Sequence, residues 1–271
     1  MNSISELITI PFVYAPFLCC LVIITAFAII LSPSIKKHAS VYYGIFSIPI
    51  LLHLIQGALM LFGSPFSLYG IPVVEHIMEF NSHMVYFGYP LLVVIMYTGA
   101  LNPKNRYAKR LLVIRKELSI ISGFPVLTHS LIRIIYTLPG SIRYFTDHSD
   151  YVRENDWIRN TIGVGISSFG YILGIAMVVV FLVLWITSFK SVHKRMGNRK
   201  WKKLHKWSYV LYAMIFIHSI TLNIGWTMNG EYEGENVNQI VRGIIAITST
   251  TMVFTSYLIL RLRKAANERK K

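Results

Sequence analysis

Three histidines of this chain sit where an ionisable side chain is expensive. His129, His205 and His218 lie within or at the edge of long uncharged stretches. Hydrocarbon penalises such groups unless they are paired, hydrogen-bonded or ligated, so each is a functional hypothesis by default. A neutral imidazole offers two kinds of chemistry there: it relays a proton, or it gives a ring-nitrogen lone pair to a metal ion. Two arginines accompany them. Arg133 follows His129 by one helical turn, and Arg115 precedes it by fourteen residues on the same helix face. A guanidinium matches a carboxylate geometrically.

The elements that position these side chains follow from composition. Hydrophobic residues make up 54% of the 271 and charged residues only 14%, against about a quarter charged in soluble domains. This excludes disorder, a fibrous repeat and a polar binding module, and counts strongly against a soluble enzyme. Crossing the hydrocarbon as a helix takes roughly 20 apolar residues. The uncharged stretches place seven such helices, near 8–32, 40–62, 83–101, 117–137, 161–189, 204–226 and 239–261. The predicted fold is therefore all-α: a polytopic membrane helical bundle with seven transmembrane helices, forming a single membrane domain over 1–271.

Charge orients the bundle. Of 27 basic residues, 22 fall in four segments: Lys36–Lys37, Lys104–Lys116, Lys190–Lys206 and Arg261–Lys271. Only Glu117 and Glu268 accompany them; the alternate connections and the N-terminal end hold the other ten of the twelve acidic residues, among them Glu75, Glu79, Asp147, Asp150, Asp156, Glu231, Glu233 and Glu235. The positive-inside rule then places the N-terminus outside and the C-terminus in the cytoplasm, in a cell (cytoplasmic) membrane. The net charge of +15 reads as contact with anionic lipid rather than with nucleic acid. Cys19 and Cys20 are neighbours in an apolar run and cannot make a disulfide framework. No glycine-rich loop follows a strand-like segment, so no dinucleotide or phosphate-loop fingerprint is present. Any chemistry must be built inside the helices or delegated to a partner.

Within that frame, helix four enters from the cytoplasmic side near Glu117, which puts His129 about 18 Å deep at 1.5 Å per residue. Helix six enters from the same side, and His218 lies roughly 20 Å beyond His205. His129 and His218 thus share a depth towards the outer leaflet. Two neutral imidazoles at one level on different helices are the usual axial pair for a haem iron in a bundle. His205 lies near the inner edge, at the height of a second stacked haem. An ideal helix turns it about 140° away from His218, so both face one axis only through an irregular first turn or a bulge. Arg133 is the candidate for propionates of the outer haem and Arg115 for those at the inner edge; membrane-interface anchoring is the alternative for each.

Other residues read more plainly. His53 in helix two is a packing histidine, with quinone binding or ligand substitution as the alternative. His76 and His83, with Glu75 and Glu79, read as a solvated loop, with a metal or acceptor site as the alternative. Gly163, Gly165, Gly170 and Gly174 in helix five read as close helix packing.

One stretch carries a resemblance. Thr187-Ser188, then Lys194-Arg195-Met196-Gly197, then Arg199-Lys200-Trp201-Lys202-Lys203-Leu204-His205, followed by His218, resembles the ferric-reductase-like transmembrane domain superfamily. Within it the pattern is most similar to the haem-binding membrane subunit of the bacterial methionine sulfoxide reductase system. A basic residue opening an earlier helix and a histidine fourteen residues on match as Arg115 and His129. The resemblance covers roughly 80–262 and leaves 7–62 as extra N-terminal helices. It implies b-type haem, one with a second accommodated, with His129, His218 and His205 as ligands of the iron. It also implies electron transfer from a cytoplasmic flavin reductase or membrane quinol to an acceptor outside, with FMN or quinone as candidate donor-side cofactors.

The leading expectation is therefore a membrane electron-transfer component of an oxidoreductase, passing electrons to an extracytoplasmic acceptor such as a partner reductase. Direct reduction of ferric iron or another small oxidant at the outer haem is a second reading. A non-redox transporter or membrane scaffold is a third, but neither internal repeats nor broken helices stand out.

Overall fold

In hydrocarbon a backbone N–H or C=O has no water to bond, so a chain this apolar closes its hydrogen bonds within helices. The computed structural model describes residues 11–230 and 238–269, and all their regular structure is helical. The helices are α1 (Pro16–Ile30), α2 (Ser32–Lys37), α3 (Ala39–Leu61), α4 (Pro72–Ser82), α5 (Gly88–Thr98), α6 (Arg106–Val113) and α7 (Arg115–Ile132). A π-turn, Arg133–Thr137, leads into α8 (Leu138–Thr146), followed by α9 (His148–Glu154), α10 (Thr161–Ile186), α11 (Lys190–Met196) and α12 (Asn198–Leu204). A 3-10 turn, His205–Trp207, leads into α13 (Ser208–Asn229), and α14 (Gln239–Arg269) closes the chain.

Among the described residues, five helical runs are long and apolar enough to cross a membrane: Ala39–Leu61, Arg115–Thr146, Thr161–Ile186, Asn198–Asn229 and Gln239–Glu268. The protein is thus a multi-pass membrane protein. The first and third expected helices are shorter than foreseen, at 15 and 11 residues. For α1 the reason is Pro16, which has no N–H to continue the turn formed by residues 11–14 and instead opens a new helix. Residues 8–10 of that expected helix, Glu231, Glu233 and Glu235 of the last acidic connection, and Lys270 and Lys271 lie outside the described residues. Helix four runs further than expected because it does not stop at Pro139. The ring has no N–H for the carbonyl four residues back, and Leu138 N–H reaches five residues back to Arg133, giving the π-turn.

The helices fall into two compact units, residues 1–19, 132–187 and 191–259, and residues 20–131, 188–190 and 260–271. The second has a core of Ile24, Ala28 and Ile35, Phe87, Leu91, Val94 and Ile95, and Leu111, Ile114, Leu118 and Ile121. α5 is buried on nearly every side, as expected of a helix that is apolar all round. At one edge of this core Glu117, only 6% exposed, accepts a 2.9 Å ion-pair hydrogen bond from Lys36 through Oε1. Its other oxygen is buried without a hydrogen-bond partner among the described residues.

The first unit is built on α10 and α13, which run antiparallel and nearly backbone to backbone. A Cβ added at Gly225 would lie 2.6 Å from the carbonyl oxygen of Gly163. One at Gly170 would lie 2.7 Å from Thr221 Oγ1. Small residues permit this approach, where dispersion contacts replace the hydrophobic driving force that lipid cannot supply. The ends are tied too: Asn229 Oδ1 accepts the backbone N–H groups of Arg159 and Asn160 at 2.7 and 2.8 Å. Gly230, at φ +72°, ends α13 in the left-handed conformation that glycine adopts freely.

Gly225→Ala should lower the melting temperature in detergent, with a cost of about 1–3 kcal/mol typical of overpacking; an unchanged melt would contradict the close crossing. Lys36→Met should also destabilise the protein, because it strands the buried Glu117. The cost should be about 1–3 kcal/mol, less than for a fully buried pair because Lys36 is 51% exposed, and Lys36→Met/Glu117→Met should recover part of the loss.

Candidate haem-ligand site

His129 sits in the last turns of α7. Its Nδ1 lies 2.9 Å from the carbonyl oxygen of Ser82, at the end of α4. A carbonyl can only accept, so Nδ1 carries the proton, and in the neutral ring Nε2 carries the lone pair. His218, in the middle of α13, makes the same bond: its Nδ1 donates to the Gly170 carbonyl of α10 at 2.8 Å. Gly174, one turn further along α10, leaves the ring its room. A Cβ there would stand 3.4 Å from His218 Cε1 and 3.7 Å from Nδ1.

Metal-bound histidines commonly donate the other ring N–H to a carbonyl or carboxylate, which fixes tautomer and orientation and raises ligand basicity. Each histidine is held in this state by a main-chain group of its own unit, and a ring-nitrogen lone pair of this kind is chemically suited to a haem iron.

Arg133 belongs to the same unit as His218. It lies on the π-turn with its guanidinium carbon 5.9 Å from the Tyr171 ring centroid and Nη1 3.4 Å from Thr137 Oγ1. Tyr171 OH in turn accepts from Trp226 Nε1 at 3.2 Å. Arg115, in the other unit with His129, is exposed at the start of α7. No carboxylate pairs with it among the described residues. A Cβ at Gly99 would stand 3.8 Å from its Nη2.

His205 begins the 3-10 turn that opens helix six. Its Nε2 is 3.1 Å from Thr187 Oγ1, and its ring stacks on Trp201 at a centroid distance of 4.0 Å. Trp201 Nε1 donates to the Thr187 carbonyl at 2.9 Å, and the His193 ring also packs on Trp201, 4.6 Å away between centroids. The Thr-Ser helix end and the Trp-x-x-Leu-His box therefore form one local knot around Thr187. Gly197, at φ +79°, makes the turn that lets α12 fold back into it.

The remaining histidines are placed as follows. His53 Nδ1 donates to Pro49 O of its own helix at 2.8 Å. His76 is exposed, with Nδ1 3.9 Å from Glu79 Oε2, and His83 Nδ1 donates to Glu79 O at 2.9 Å. Among the described residues no three His, Cys, Asp or Glu side chains converge as a metal cluster. Sequence reasoning missed the Ser82 and Gly170 carbonyls and the role of Thr187. Only Thr187 had a signal, its place in the Thr-Ser pair; a main-chain acceptor leaves none.

Comparison with known proteins agrees with this architecture. Residues 84–216 match the family described as ferric reductase like transmembrane component. This segment contains Arg115, His129, Arg133 and His205, and ends two residues before His218. Over that segment the chain is similar to ferric-reductase-like transmembrane components. It is also similar to an uncharacterized protein of Treponema pallidum (strain Nichols), 26% identical over 248 residues, which covers 89% of this chain and 58% of the relative. The chain thus spans a little over half the length of that relative. No solved structure matches.

Gly174→Val should press on the His218 ring and shift it from its bond to the Gly170 carbonyl. If the protein carries haem, the variant should retain less of it per mole at normal expression, measured by pyridine haemochrome. Wild-type content in Gly174→Val would show that the ring does not need the gap.

Proposed function

We propose that the protein is a haem b-binding membrane subunit that transfers electrons across the cytoplasmic membrane to an extracytoplasmic acceptor, such as a partner reductase. The observation that carries this reading is the shared state of His129 and His218. Each donates Nδ1–H to a main-chain carbonyl, at 2.9 and 2.8 Å, and so keeps its lone pair on Nε2. The match of residues 84–216 to a ferric-reductase-like transmembrane component supports a membrane redox role. In this reading α1 and α5 cross the membrane with the five longer runs, making seven spans with the N-terminus outside. The alternation of basic and acidic connections supports that orientation.

The haem would supply one-electron chemistry; the chain supplies ligands, orientation and a low dielectric. His129 and His218 would hold the iron, with His205 as the candidate ligand of a second haem. Arg133 and Arg115 would neutralise propionates. The exposed cations of α11 and α12, eight from Lys190 to Lys206 with the turn that follows, would face the cytoplasmic donor, a flavin reductase or quinol. The likeness to the methionine sulfoxide reductase membrane subunit belongs to this proposal.

A second reading, direct reduction of ferric iron or a small oxidant at the outer haem, is favoured by the description of the matched family. Dithionite-reduced membranes from overexpressing cells should show b-type absorption bands, and His218→Ala and His129→Ala should each diminish them strongly. Colourless, well-folded protein would remove both readings. Rapid reoxidation of the reduced protein by a ferric chelate, but not by a protein acceptor, would decide for the second.

A further inference from the structure

The matched segment begins at residue 84, yet the group holding His129 comes from before it. Ser82 is the last residue of α4, and the final carbonyls of a helix have no partner within it. They also form the negative end of the helix dipole. His129 Nδ1 donates to the Ser82 carbonyl at 2.9 Å, so one bond satisfies a helix end and fixes an imidazole.

The surroundings hold that carbonyl in place. Met78 of α4 is fully buried. Phe80 stacks on Tyr86 with centroids 5.8 Å apart and planes 7° from parallel. The Glu79 carbonyl accepts from His83 N–H at 3.0 Å and from Ser82 Oγ at 2.9 Å. Upstream, Gln56 of α3 accepts the Leu68 N–H at 2.7 Å and ties down the loop leading into α4. All these residues lie in one compact unit with His129.

We propose that α4, an element outside the ferric-reductase-like segment, is the positioning element of His129: the Ser82 carbonyl sets the tautomer and orientation of the imidazole, and so how firmly its Nε2 holds an iron. This rests on the haem reading above. It gives the region preceding the matched domain a definite role. The donor–acceptor bond strengthens electron donation from the ring, and outer-shell contacts of this kind are worth about 10–100-fold in metal affinity.

The backbone makes the test selective. A proline disfavours the helical conformation of the residue before it, so His83→Pro turns the Ser82 carbonyl away. Position 83 itself, at φ −84°, is near the value proline requires. His83→Ala removes the same side chain and leaves the carbonyl where it is. Wild type and His83→Ala should both show low-spin ferric haem and a ferrous form inert to carbon monoxide. His83→Pro should show a high-spin fraction, carbon monoxide binding and about 10–100-fold weaker haem retention. Met78→Ala, which loosens α4 without altering residues 82 and 83, should move the same signals in the same direction and serves if His83→Pro does not insert. Haem-loaded His83→Pro or Met78→Ala indistinguishable from His83→Ala in spin state and carbon monoxide reactivity would overturn the positioning role alone. A colourless wild type would instead overturn the haem reading and this inference with it.

Discussion

An imidazole placed in hydrocarbon has one N–H that must find an acceptor, because an unpaired polar group there costs several kcal/mol. His53, His129 and His218 solve this in the same way, through Nδ1 and a main-chain carbonyl at 2.8, 2.9 and 2.8 Å. The consequences differ with the origin of the carbonyl. Pro49 is one turn back on the helix of His53, so that bond folds the ring along its own helix. Ser82 and Gly170 belong to other elements, so those bonds pin two segments together and fix a ring between them. A bond of this kind contributes about 0.5–1.5 kcal/mol to stability. Its larger effect is to leave Nε2 as the nitrogen that carries a lone pair.

For His218 the carbonyl is reachable only because the helices touch. Mid-helix carbonyls are already engaged by their own helix, and a second donor approaches them only where side chains do not intervene. Glycines at 163, 170 and 225 remove that screen along the α10–α13 crossing, and Gly174 leaves space beside the ring. Helix packing and the orientation of His218 are therefore one constraint here: a methyl group that separates the helices also lengthens the bond that orients the histidine.

Much of this was legible in the sequence. Hydrocarbon thickness and the penalty on charge marked the apolar runs, and among the described residues five of the seven expected helices are long enough to cross a membrane. The boundaries failed where one residue decided them: Pro16 restarts a helix inside an apolar run, and Pro139 converts a helix end into a π-turn and a further helix. α4, α9 and α11 were missed because they sit in charged connections where apolar length gives no signal. In the site, the histidines stood out because they are ionisable, and the Thr-Ser pair and Trp-x-x-Leu-His box because their spacing is distinctive; that they close on Thr187 was not legible. The Ser82 and Gly170 carbonyls could not be read, since every residue has one and only the fold selects which is used.

The limits of the matched segment and those of the physical units are different things. Residues 84–216 carry the resemblance to ferric-reductase-like proteins, yet the core around α5 includes Ile24, Ala28 and Ile35 from the earlier helices. The ion pair on Glu117 needs Lys36, and the contact of His129 needs Ser82. A fragment cut at residue 84 would expose one face of α5, leave Glu117 buried without its cation and deprive His129 of its acceptor. The region before the matched segment is thus part of what holds that segment in shape. At His129 its contribution passes from packing to the chemistry of a ring nitrogen.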